Sequence, residues 1–273
     1  MLRKETETGW LLVTHPDHAR LAGDFAAAWG NAQFRSPVPR ARVLKAISHH
    51  DDGWIARDAH PAVTREGKPS AFSVELVGKY SAFEEIDLDQ YLTVRQRAVQ
   101  SMAADDPYAA LLVLMHTYSL LTEHADRSTI AAKDLPLLDR FLEHLQTTRK
   151  QLRAAIDEDT NLAPEEKSEE MIQEHFHLLQ ACDNLSLLSC VAYEKPANLL
   201  HPLPLKGGSS TEVKVIPVGP RRFQLAPWPF FEPELTFQLP ARHVDGKTFA
   251  SSEELTAAFD NADEKHFPVT LIQ

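Results

Sequence analysis

Two histidines and two aspartates stand together at one place in this 273-residue chain, in Ser48-His49-His50-Asp51-Asp52-Gly53-Trp54. Imidazole nitrogens and carboxylate oxygens are ligands that Zn, Mn, Fe and Ni accept as divalent ions, so the stretch is a candidate metal site. The same residues also suit a polar helix end, with Asp52-Gly53 forming a turn. What separates the two readings is whether other segments bring matching groups to the same point.

Three other helical patterns do so. From Pro16 to about Trp29 the stripe His18, Leu21, Ala22, Phe25, Trp29 has the offsets of one helix face, which puts His18 inside and leaves His15 at the entrance. Between Arg40 and Asp51, Val43, Ile47 and His50 repeat at helical spacing, so His50 faces inward and Gly53 ends the helix. In the segment from Pro107 to Thr122, His116 lies among Leu111, Leu112, Met115 and Leu120. The pattern from Ser168 to Val191 runs Ile172, Phe176, Leu179, Asp183, Leu187, Cys190, with an aspartate in the middle of an apolar seam. An ionised carboxylate in such a place is costly unless it is paired or bound to a cation. Polar groups on four helices bury at lower cost if they meet, and bundle cores place metal ligands on facing helices in this way.

The remaining elements frame these. Trp10 to Thr14 reads as a strand leading into the first helix, Ala56 to Ser70 as a loop, and Asp87 to Met102 and Leu135 to Ala155 as further amphipathic helices. After Glu194 the composition shifts to prolines and Gly207-Gly208-Ser209-Ser210. Strand patterns follow at Glu212 to Ile216, Arg222 to Ala226 and Glu234 to Leu239, then a capped helix from Ser251 to about Phe259. The last strand pattern, Pro268 to Ile272, is a candidate to pair with the N-terminal strand. Pro227-Trp228-Pro229-Phe230-Phe231 between two of the strands reads as a rigid turn packing the tail, or as an aromatic contact surface. The expected fold is therefore mainly α: a helical bundle over residues 1–200 with a small C-terminal β-rich appendage over residues 201–273, packed on it.

A net charge of −11 argues against binding nucleic acid, which needs clustered Lys and Arg. No apolar run reaches the roughly 18 residues of a membrane span, and the N-terminus lacks a signal-peptide pattern, so a cytoplasmic protein without membrane contact is expected. Cys182 and Cys190 lie eight apart in one helical pattern, roughly 12 Å along its axis. That is beyond the span of about 7 Å that a disulfide tolerates, and predicts two reduced thiols.

The order of a first-helix His18, the adjacent pair His50-Asp51 and the distant Asp183 resembles the HD superfamily of metal-dependent phosphohydrolases. The resemblance implies an all-helical HD-like domain and a ligand set of His18, His50, Asp51 and Asp183, with His116 matching an extra histidine that some branches use for a second metal. It implies one or two divalent ions (Mn, Fe, Zn or Ni), a small-molecule substrate, and Asp52 or His49 moving the proton. The chain is also similar, over nearly its full length, to a bacterial family of uncharacterised proteins. The similarity rests on Pro16-Asp17-His18-Ala19-Arg20-Leu21-Ala22, His50-Asp51-Asp52-Gly53-Trp54, Asp183-Asn184-Leu185-Ser186-Leu187 and Pro227-Trp228-Pro229-Phe230. One departure is Trp54, where many HD phosphohydrolases carry a lysine that assists phosphate binding; an aromatic there suits packing, or the face of a sugar or base. Two other readings stand beside hydrolysis: an HD-type di-iron oxygenase, and a non-enzymatic ligand-binding or interaction protein with a structural site. The strand-rich tail is a candidate for capping the site or for pairing with a second copy in a homo-oligomer.

Overall fold

Short polar side chains start the helices at the points where the apolar periodicity begins. Thr14 caps α1 (His15–Ala28) by accepting from the Asp17 N–H, and Asp87 caps α4 (Leu88–Ala103) through the Gln90 N–H. Asp106 caps α5 (Pro107–Ser119) and Ser168 caps α7 (Glu169–Cys190) in the same way. Each cap satisfies a backbone donor that has no partner inside the helix, and is worth about 1 kcal/mol. The remaining helices are α2 (Arg40–Ser48), a single turn α3 (Ile55–Asp58), the long α6 (Leu135–Glu158) and α8 (Ser252–Asn261). The structure is a computed structural model that describes residues 1–70 and 87–273.

The mainly α fold does not hold. Seven strands form one mixed sheet in the order β1-β2-β8-β9-β7-β6-β3. They are β1 (Leu2–Glu5), β2 (Gly9–Val13), β3 (Ala197–Asn198), β6 (Lys214–Gly219), β7 (Arg222–Ala226), β8 (Glu234–Asp245) and β9 (Glu264–Ile272); β4 (Leu203–Pro204) and β5 (Ser210–Thr211) pair separately. The β structure is thus no small C-terminal appendage, and an HD-type helical bundle does not describe this chain. Strands from both ends share the sheet, because β2 pairs antiparallel with the far end of β8, Trp10 opposite Val244. The terminal strand β9 does not pair with the N-terminal strands; it lies between β8, antiparallel, and β7, parallel.

Helices and sheet close over one apolar core that runs from Phe25, Ile47, Leu112 and Leu179 to Phe223, Leu225, Val269 and Leu271. The ring of Phe25 on α1 meets Phe237 of β8 edge-on, with centroids 4.9 Å apart, which fixes α1 across the sheet. A smaller core of Met1, Trp10, Leu12, Val244, Phe249, Leu255 and Phe259 lies under α8. Both cysteines are free and buried, as their spacing predicts. Among the described residues no helix is long and apolar enough to cross a membrane.

The second helix ends sooner than its pattern suggests. α2 stops at Ser48, and Asp52–Trp54 form a separate 3-10 turn, so His50 and Asp51 sit in the break between the two. Neighbours in a continuous helix point about 100° apart. Unwinding here lets two adjacent side chains aim at one point. The turn presses against α4: a Cβ on Gly53 would stand 2.2 Å from the Val94 carbonyl oxygen, so only glycine permits this approach.

One buried histidine of the core makes the fold acid-sensitive. His175 on α7 hydrogen-bonds the Tyr108 hydroxyl of α5 through Nδ1 (2.7 Å), and burial pushes its pKa down to about 4. Between about pH 6.5 and 4 the unfolded chain binds a proton there that the folded chain refuses, so this part of the stability is present above that window and is lost as pH falls through it, at most about 1.4 kcal/mol per unit. His175→Gln is expected to flatten the fall in guanidinium midpoint between pH 7 and pH 5. An unchanged slope would refute this assignment.

Candidate metal centre

α1, the break after α2, α5 and α7 converge, and the five histidine and aspartate residues expected on these four segments meet there. His18 is 1% exposed, His50 1%, Asp51 4%, His116 2% and Asp183 3%. Two overlapping groups have the spacing of a metal site, His18 with His50 and Asp51, and His50 with His116 and Asp183, with ligand atoms within 4.8 Å of one another in each. Asp183 joins them. Its Oδ1 lies 3.4 Å from His50 Nε2 and 3.7 Å from His18 Nδ1, and its Oδ2 lies 3.8 Å from His116 Nε2.

The hydrogen-bond partners fix which nitrogens are free. His50 Nδ1 donates to the Ile47 carbonyl at 2.8 Å, so the neutral ring carries its lone pair on Nε2. That atom is buried without a hydrogen bond and faces Asp183. The Ser186 hydroxyl donates to the Asp183 carbonyl (2.8 Å), which leaves its oxygen to accept from His18 Nδ1 (2.8 Å). His18 Nε2 faces Asp51 Oδ2, 3.1 Å away, and in the metal-free centre it donates a hydrogen bond to that carboxylate. Two imidazole Nε2 atoms and two buried carboxylates therefore face one another. This is a donor set that could take a metal ion, and a backbone carbonyl and a hydroxyl orient its rings from behind, as in known metal sites. Buried His/Asp groups of this kind can hold a metal ion.

In the metal-free centre the carboxylates favour a proton on His50. Burial resists the charge on Asp51, yet Arg95 and then His50 outweigh it and hold the carboxyl well below the usual range. Asp183 is also lowered against burial, chiefly by His50. Burial alone would lower His50, but Asp51 and Asp183 push it up to about 9. His116, buried and more weakly paired, is pushed down to about 3.

The structure separates His49 and Asp52 from this cluster. They hydrogen-bond each other, Nδ1 to Oδ2 at 2.7 Å, and His49 is 46% exposed while His50 points inward. His15 is not at an open entrance but buried, its backbone N–H donating to Asp58 at 2.6 Å. Trp54 is fully buried and stacks on the His15 ring at 4.2 Å, so it packs the site and offers no face to a ligand.

Two contributors were missed in the sequence. Ser186 lies one turn after Asp183 on α7, and its role depends on a hydroxyl with two partners. Arg95 on α4 is 3% exposed, donates to Asp51 Oδ1 at 2.5 Å and lies over the rings of Trp54 (5.5 Å) and Tyr91 (5.1 Å). The signal for Arg95 was available: it shares a helical stripe with Leu88, Tyr91, Leu92, Ala98 and Met102.

Fold and centre define a mixed sheet backed by helices that enclose a buried His/Asp group able to take a metal. The chain belongs to the family described as Protein of unknown function (DUF3891), whose model matches residues 1–246. That match runs through the helices and most of the sheet. No curated protein and no solved structure matches the chain.

Proposed function

We propose that this protein is a metal-dependent hydrolase, acting on a small phosphoester through one divalent ion held by His18, His50, Asp51 and Asp183. The observation that carries the reading is the pair of imidazole Nε2 atoms aimed at two buried carboxylates. The chain order of these residues also resembles that of the HD phosphohydrolases; only the ligand order carries over, not the helical scaffold. When bound, a divalent ion would polarise a phosphoryl oxygen and acidify a water. The chain's own residues do the rest. Ser186 and the Ile47 carbonyl orient the two rings, and Trp54 with Tyr91 keeps bulk water from Arg95 and Asp51. His116, its Nδ1 buried without a hydrogen bond, stands inside the cluster as a further ligand or proton carrier. Asp52 and His49 form a second, outer proton-transfer pair.

A single ion suits this geometry better than two. Both groups of ligands use His50, whose Nδ1 is engaged by Ile47, and the remaining nitrogen has one lone pair for one metal. A second ion would keep only His116 and one oxygen of Asp183 among the described residues. This weighs against a di-iron oxygenase. The test is hydrolysis of p-nitrophenyl phosphate and bis-p-nitrophenyl phosphate by protein loaded with Mn, Fe, Zn or Ni. Turnover that is lost in Asp51→Ala and in chelator is expected; equal turnover in both proteins, or none with any ion, would refute the reading.

A further inference from the structure

We infer that Arg95 is the resident counter-ion of the metal-free centre and that a bound metal competes with it for Asp51. The inference rests on the metal reading above and adds a residue that the ligand pattern did not contain. Asp51 and Asp183 bring two negative charges into a closed interior, and the buried Arg95 guanidinium returns a fixed positive charge beside Asp51. Its guanidinium reaches Asp51 Oδ1 at 2.5 Å, while Asp51 Oδ2 faces His18 and His50 at 3.1 and 3.9 Å. One carboxylate is therefore divided: one oxygen to arginine, the other to the place where ligand lone pairs meet.

The arginine is held rather than mobile. Nε donates to the Tyr91 hydroxyl at 3.1 Å, and the planar group lies over the rings of Tyr91 and Trp54. A guanidinium is always charged and planar, so it suits both the aromatic faces and the carboxylate. Without a metal, Arg95 offsets the charge of Asp51, and the chain folds without its ion. With a divalent ion in place the same positive charge repels it. Stability without metal is gained at the cost of metal affinity.

The sign of this coupling separates it from two ordinary roles. An arginine that only packed the interior would lower the melting temperature of Arg95→Gln equally with and without metal. One that only oriented Asp51 for the ion would, on removal, weaken binding roughly 10–100-fold, as loss of an outer partner does. A counter-ion gives the opposite result. In Arg95→Gln the metal-free protein should melt far lower than wild type. Saturating Mn should raise its melting temperature at least twice as much as it raises that of wild type, and the Mn Kd should tighten about tenfold. Arg95→Lys, which keeps the charge, should restore a wild-type increment.

The experiment is a Mn titration by calorimetry with melting curves in EDTA and in excess Mn, on wild type and both variants. If Arg95→Gln unfolds in EDTA but melts as a folded protein in Mn, the inference is supported in its strongest form. If it fails to fold in either condition, the decision passes to Arg95→Lys, whose Mn Kd must lie within threefold of wild type. Weaker or unchanged binding by a folded Arg95→Gln, or an equal drop in melting temperature in both conditions, overturns the inference. Absence of Mn, Zn, Fe or Ni binding to wild type instead overturns the metal reading beneath it.

Discussion

Asp183→Asn is expected to fold and to lose metal binding. Asn keeps the shape of the carboxylate and removes its charge, while Asp183 is the residue whose two oxygens address His18, His50 and His116. The loss should exceed the roughly 10–100-fold penalty typical of removing an outer hydrogen-bond partner, because a ligand itself is lost. The backbone carbonyl that receives the Ser186 hydroxyl is untouched, so the orientation of His18 should survive. Far-ultraviolet circular dichroism should match wild type, and calorimetry should detect no binding of an ion that wild type holds. A folded Asp183→Asn that binds metal as tightly as wild type would remove Asp183 from the centre.

Trp54→Ala should be the most destabilising single change near the site. The side chain is fully buried between His15, Tyr91, Arg57 and Arg95. Truncating a buried tryptophan leaves a cavity and costs about 3–5 kcal/mol. For a chain of this size each kcal/mol moves the melting temperature by about 2–4 °C, so a fall of roughly 6–20 °C is expected. Trp54→Phe should recover a good part of it. A melting temperature within 2 °C of wild type, by the scale just used, would show that Trp54 is not the packing keystone described.

The helices are legible because their apolar residues repeat with the helical period, and His18, His50, His116 and Asp183 stand out as the polar residues that fall on such a stripe. His18, His116 and Asp183 needed nothing more. His50 and Asp51 were found for a partly mistaken reason: the pattern suggests a continuous helix to Asp51, whereas the chain unwinds at His49, in a bridge-type conformation (φ −124°, ψ 11°) that periodicity does not register.

The sheet was hidden by distance along the chain. Strand patterns at Trp10 and after residue 212 were visible, but the pairing of Gly9 with Asp245 joins residues that no local signal connects. β1 escaped notice because Leu2-Arg3-Lys4-Glu5 is short and mostly polar. Assigning the late strands to a small appendage followed from reading them without their N-terminal neighbours. Arg95 was passed over because a charged residue on an amphipathic helix is ordinarily solvated; only the aspartate and two aromatic rings facing it explain its burial.

The most direct test of the whole account is the number of ions per chain. Protein grown with added Mn, Fe, Zn or Ni, then desalted and analysed by inductively coupled plasma mass spectrometry, should carry close to one equivalent of a divalent ion. Double replacement His18→Ala with His50→Ala should carry none while keeping wild-type circular dichroism. A wild-type protein that holds no metal under any of these supplements would mean that the facing imidazoles and carboxylates are satisfied by protons and Arg95 alone, and would contradict the account.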